Sequence, residues 1–215
     1  MKIKKVFLLL ISLLITLNFT SCKNANSKDD VTDNNPIEEN IQSDDTVKEE
    51  PKAPTSFEAF GKSYTSTKDI NAIEKSTNIY DDQTSIHYTS GEYKEIDFIN
   101  DLLYSYLNED TSIYNYLITY SNTSEKGYEP ISEEDKEKLK KDLASLRSQM
   151  ELSSGEEMVV RLDRVTYEGL DSNTNSGHSF KIRVAISRVG ATVVPWNYFT
   201  VTVFEDGNKL VAHLF

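Results

Sequence analysis

The chain has 215 residues, 35 acidic against 23 basic, and a formal net charge of −12. Length allows one or two domains. A field of that sign repels nucleic acid and bare anionic lipid, so no electrostatic footprint for either is visible in the totals. A single cysteine, Cys22, excludes an intrachain disulfide framework and a multi-thiol zinc site.

The chain opens with "MKIKK", which holds Lys2, Lys4 and Lys5, and continues with the apolar run Val6 to Leu17. That run has 12 residues, whereas a spanning helix needs about 20. A basic start, a short apolar run and small residues before a cut site are the pattern of a secretory signal peptide. Phe19, Thr20 and Ser21 then lead into Cys22. This segment resembles the lipobox of bacterial lipoproteins, in which a small residue precedes an invariant cysteine. The resemblance covers about 22 residues and departs from the family at Phe19, where Leu or Val is usual. It implies cleavage after residue 21, diacylglyceryl modification of Cys22, and a lipid anchor at the extracytoplasmic face of the cell membrane. Two acyl chains hold stably where one binds only marginally. An ordinary signal peptide and an uncleaved anchor are the alternatives; the shortness of the run disfavours the second.

Lys23 to Ser56 has no aromatic residue and carries nine acids against four lysines. Such a segment cannot bury enough apolar surface to offset its chain entropy, and it reads as a disordered acidic tether. As a flexible coil it would span about 30–35 Å. The expected organisation is signal peptide over 1–21, lipidated cysteine and tether over 22–56, and a folded domain over 57–215.

Within that domain, Ile99, Leu102, Leu103 and Tyr106 recur at helical spacing in "EIDFINDLLYSYL", and Ile113, Tyr116, Leu117 and Tyr120 do so in "DTSIYNYLITY". With "NED" between them, the two read as an αα-hairpin. A third helix follows Pro130, with Ser132 as N-cap, acids Glu133, Glu134 and Asp135 in its first turn, and a stripe of Leu139, Leu143, Leu146 and Met150. Before these, "DINAIEKSTNIY" suggests a short helix and "SIHYTS" a short strand.

From Glu157 onward the period changes to two. "EMVVRLDRVTYEG", "SFKIRVAIS", "WNYFTVTVFE" and "NKLVAHLF" read as four strands, the last two joined at Asp206-Gly207. Helices first and an antiparallel sheet after predict an α+β domain. The order of elements resembles nuclear-transport-factor-2-like (cystatin-like) domains, and the resemblance implies N-terminal helices packed into a cone formed by about four antiparallel strands. It is one of pattern, covers about 120 residues and carries no residue-specific motif.

No catalytic, phosphate-binding or metal-ligand motif occurs, so no cofactor and no metal are expected. Of the histidines, His87, His178 and His213, the last two are candidates for a histidine–carboxylate pair in a pocket enzyme. "DSNTNSG" alternates Asp171, Asn173 and Asn175 in the manner of a calcium loop, but lacks the Gly and Glu positions of one and reads as a polar hairpin loop. Seven of the 12 tyrosines fall between Tyr93 and Tyr128. Tyr104, Tyr106, Tyr114, Tyr116 and Tyr120, with Trp196, are the candidate ligand- or partner-binding residues, since rigid rings with polar tips suit contact surfaces. Core packing is the competing explanation. The leading expectation is a non-enzymatic lipoprotein whose domain binds an envelope protein or a small ligand. A pocket enzyme and a structural part of a secretion or conjugation assembly are the alternatives.

Overall fold

The computed structural model describes residues 56–80, 89–192 and 194–215. The signal segment, Cys22, the tether up to Thr55, and most of "SIHYTS" with His87 lie outside the described residues.

In chain order the elements are β1 (Phe57–Ala59), β2 (Lys62–Tyr64), a 3₁₀ turn (Ile70–Ala72), β3 (Asn78–Tyr80) and α1 (Lys94–Leu107). A second 3₁₀ turn (Thr111–Asn115), β4 (Ile118–Tyr120), β5 (Tyr128–Pro130) and α2 (Glu133–Gln149) follow. The chain then forms β6 (Met158–Leu170), β7 (His178–Arg188), β8 (Trp196–Asp206) and β9 (Lys209–Leu214). Seven strands make one sheet in the order β2-β1-β9-β8-β7-β6-β3, while β4 and β5 pair separately.

The four predicted C-terminal runs are strands and form an antiparallel meander. The turn between β8 and β9 places Gly207 and Asn208 in the loop, with Asp206 and Lys209 as the closing pair and Gly207 at φ 63°. The expected architecture nevertheless fails. The sheet is curled, has seven strands rather than about four, and is mixed, because β1 lies parallel to β9. Among the described residues only two α-helices form, so the cystatin-like cone with N-terminal helices packed on an antiparallel sheet is not this fold. The added strands β1, β2 and β3 are three residues each, too short to display a period of two. The tight turn between β1 and β2 is Phe60-Gly61, both with positive φ (50° and 67°). Positive φ at Phe60 is costly, but its ring packs 4.3 Å from Tyr116 and 5.8 Å from Phe98, which holds it there.

The αα-hairpin is likewise absent. Asp110 caps a 3₁₀ turn by accepting from the Ser112 amide (2.9 Å) and hydroxyl (2.9 Å). The β-branched and aromatic "ITY" then extends as β4 and pairs with β5. "DINAIEKSTNIY" yields only the Ile70–Ala72 turn and β3.

The two helices that do form behave differently. Ile96, Phe98, Ile99, Leu102, Leu103 and Leu107 of α1 are wholly buried, and Glu95, Asp97 and Ser105 are buried with them, so α1 is enclosed on most sides and fills the concave side of the sheet. It faces Leu162 and Val165 of β6, Phe180, Ile182, Val184 and Ile186 of β7, and Val201 and Val203 of β8. In α2 the Ser132 hydroxyl accepts from the Asp135 amide at 3.1 Å and donates to its carboxylate at 2.8 Å, the predicted capping arrangement. Its buried line is Leu139, Leu143 and Arg147, with Leu146 and Met150 half-buried.

On the other face of the sheet, Ile118 and Tyr128 of the small ribbon pack over Phe204 and Val211. Gly177 is buried against that region; a Cβ there would meet the Phe204 ring at 2.5 Å and Thr202 at 2.7 Å.

Candidate functional site

The structure divides the tyrosine set among separate places. The Thr111–Asn115 turn presents Tyr114 and Tyr116 to two different clefts. One cleft, about 340 Å³, is lined by Phe60, Lys62, Asp101, Tyr104 and Tyr116 among others. Asp101 in its wall receives Lys62 Nζ at 3.0 Å and the Tyr64 hydroxyl at 2.7 Å. Tyr104 is exposed and donates to the Glu157 carboxylate at 3.0 Å, which also raises its own pKa.

The second cleft, about 240 Å³, holds Tyr106, Ile113, Tyr114, Lys140 and Leu143. The ammonium groups of Lys136 and Lys140 lie 6.0 and 5.8 Å from the Tyr114 ring centre, a cation–π arrangement. Tyr114 also borders a third cleft of about 450 Å³ together with Lys126, Tyr128, Glu129 and Lys209. These clefts fall at or below the lower part of the range seen for small-molecule sites.

Tyr106 is a core residue. Its hydroxyl donates to the Leu139 carbonyl at 2.9 Å and its ring stands edge-on to Phe199, and burial pushes its ionisation far up. Tyr120 is half-buried and donates to Asp171 at 2.9 Å. Asp171 also accepts from the Asn173 amide and from the amide and hydroxyl of Thr174, so the "DSNTNSG" carboxylate is satisfied by its own loop. Trp196 is exposed at the start of β8, on the sheet face turned away from α1.

Neither described histidine forms the pair required for general-base chemistry. The His213 ring lies between Tyr120 and Phe215, each centre 4.2 Å away. Burial lowers its pKa to about 4 against the opposing pull of Asp135 and Asp171. Asp135 is occupied by Thr119 and Ser132, and Asp171 by Tyr120 and its loop. His178 Nδ1 shares a 2.9 Å hydrogen bond with the Tyr167 hydroxyl, and burial lowers its pKa as well. A folded pKa below the unfolded value of about 6.5 favours the folded state with His213 neutral. That contribution is fully present above pH 6.5 and is lost as the pH falls toward 4. His213→Asn should therefore flatten the decline of the urea midpoint between pH 6.5 and 4, and NMR should find the wild-type ring neutral at pH 5.

Glu95, Asp97, Arg147 and Asp163 are buried charges that the sequence pattern does not announce. Glu95 is 1% exposed, paired with Lys94 at 2.6 Å, and its Oε2 has no hydrogen-bond partner. Arg147 is 3% exposed and donates to the carbonyls of Leu107, Ser153 and Glu156. Its place four residues after Leu143 on the buried line was the available signal. Among the described residues no group of three or more His, Cys, Asp or Glu is arranged to hold a metal ion, and no helix is long and apolar enough to cross a membrane.

No protein-family model matches the chain, and no curated protein or solved structure is significantly similar to it.

Proposed function

We propose that the chain is a bacterial lipoprotein, anchored through acylated Cys22 at the extracytoplasmic face of the cell membrane, whose domain from Phe57 is a non-enzymatic binding module. The observation that carries the anchoring is the place of the only cysteine, five residues after an apolar run of 12 that follows three lysines. Two acyl chains there would give a stable hold, and an acidic tether would keep the domain off the surface until something engages it. The binding role is supported by the solvent-facing clefts bordered by Tyr104, Tyr114 and Tyr116, and by the engagement of both described histidines in packing rather than in a carboxylate pair.

Cys22→Ala should move the protein from the membrane fraction to the soluble fraction. Mass spectrometry of the wild-type N-terminal peptide should show diacylglyceryl on Cys22. An unmodified Cys22 in membrane-bound protein would end this reading.

A further inference from the structure

The residues from Glu157 onward carry six acids and six basic residues, a balance that hides how they are arranged. On the face of the sheet turned away from α1, the register stacks three rows across β6, β7 and β8. Arg161, Ala185 and Trp196 form one row; Arg164, Arg183 and Tyr198 the next; Thr166, Lys181 and Thr200 the third. Four cations and two aromatic rings thus share one patch. Glu168, Glu205 and Asp206 lie beyond the last row toward the other end of these strands, Asp171 follows β6, and Glu157, just before β6 at the near end, is engaged by Tyr104. Only Asp163, in the bulge of β6, lies within the patch, where it is buried and paired with Arg183.

The rings are held open to solvent. Trp196 is 47% exposed and Tyr198 62% exposed, with the Arg183 guanidinium 4.9 Å from the first and Lys181 Nζ 5.9 Å from the second. The loop from β7 to β8 continues the surface with exposed Val189, Val194 and Pro195, and Arg188 stands at its base beside Glu151. Arg164 and Arg183 are themselves engaged within the fold, so the charge offered outward is led by Arg161 and Lys181, both exposed.

We propose that this face docks on an anionic lipid surface, with Trp196, Tyr198, Val189, Val194 and Pro195 entering the headgroup zone and Arg161 and Lys181 meeting lipid phosphates. Exposed cations alone would suit any polyanion. The contiguous apolar loop and the tryptophan and tyrosine at its edge favour lipid, because such rings prefer the water–hydrocarbon boundary. The acidity of the rest of the chain opposes approach from a distance, but at physiological salt it is screened beyond about 8 Å. This docking is separable from the acyl anchor, because changing Cys22 leaves the face intact.

Trp196 is the only tryptophan in the chain, so its emission reports on this patch alone. The chain from residue 22 onward, carrying Cys22→Ser and lacking the basic apolar segment 1–21, would be mixed with vesicles of phosphatidylcholine, with and without about one-third phosphatidylglycerol, the lipids brominated in a parallel set. A blue shift and bromine quenching of Trp196 on the charged vesicles, reversed by salt, are expected. Arg161→Glu with Lys181→Glu should weaken that response roughly tenfold or more with an unchanged thermal midpoint. The salt reversal on the unsubstituted face decides the matter should the double variant fold poorly. An unshifted Trp196 on charged vesicles, or an equal shift on neutral ones, overturns the proposal. So does a response to soluble polyphosphate without one to vesicles, which would assign the face to a soluble polyanion. None of these outcomes depends on whether Cys22 is acylated.

Discussion

Replacing Arg147 with methionine should lower the unfolding free energy by about 2–4 kcal/mol, read as a shift of the urea midpoint at unchanged slope. The side chain is buried, and its guanidinium donates to Leu107, the last residue of α1, and to Ser153 and Glu156 in the connection to β6. Its Nε lies 3.4 Å from the Glu109 carboxylate. The planar fork therefore satisfies the end of one helix and the exit from another at once. Methionine fills the space but leaves the buried Leu107 carbonyl without its donor, a loss worth about 1–3 kcal/mol, and releases the less buried carbonyls of Ser153 and Glu156. Arg147→Lys keeps the charge and loses the fork, and should fall between the two. Exposed Ser148→Ala, the next residue, is the control and should change little. A midpoint for Arg147→Met within error of wild type would mean that the contacts are not maintained in solution.

Phe98→Ala should cost a similar amount, about 3–5 kcal/mol. Phe98 is wholly buried, edge-on to Tyr64 with centres 5.9 Å apart and 5.8 Å from Phe60. It joins α1 to the β1–β2 hairpin. Removing the ring opens a cavity and releases Phe60 from one of the two rings that hold it at positive φ. Phe98→Leu retains most of the apolar volume and should cost far less. Hydrogen exchange in β1 and β2 should accelerate more than in β7 if the hairpin depends on this contact, whereas a uniform change would assign Phe98 to the general core.

The sequence displayed the long elements because they have room to show a period. The alternation of Phe180, Ile182, Val184 and Ile186 is the buried face of β7, and the Ser132 cap begins α2 as its spacing indicates. Legibility failed where elements are three residues long, as in β1 to β5, and where pairing is distant in sequence. Periodicity misled at Ile113 to Tyr120, because the turn that Asp110 caps stops at Asn115 and the β-branched Ile118 and Thr119 extend into β4, paired with β5. Among the candidate site residues the tyrosines stand out by composition, which does not distinguish buried Tyr106 from exposed Tyr104. The basic face was hidden for a related reason: its members come from three strands, and only the register brings Arg161, Arg183 and Lys181 together with Trp196 and Tyr198.

The parallel contact of β1 with β9 has a bearing on how the domain assembles. Glu58 pairs with Lys209, and the Glu58 amide donates to the Asn208 carbonyl at 2.7 Å. β1 can pair with β2 locally, but the β1–β2 hairpin has no sheet to join until the meander that ends in β9 exists. Closing so long a loop carries an entropic cost that only a formed partner can offset. The earliest segment of the domain in sequence is therefore among the last to be fixed in space. A chain threaded through a membrane in sequence order would keep its leading strand waiting, while the hairpins of β6 to β9 build the template that receives it.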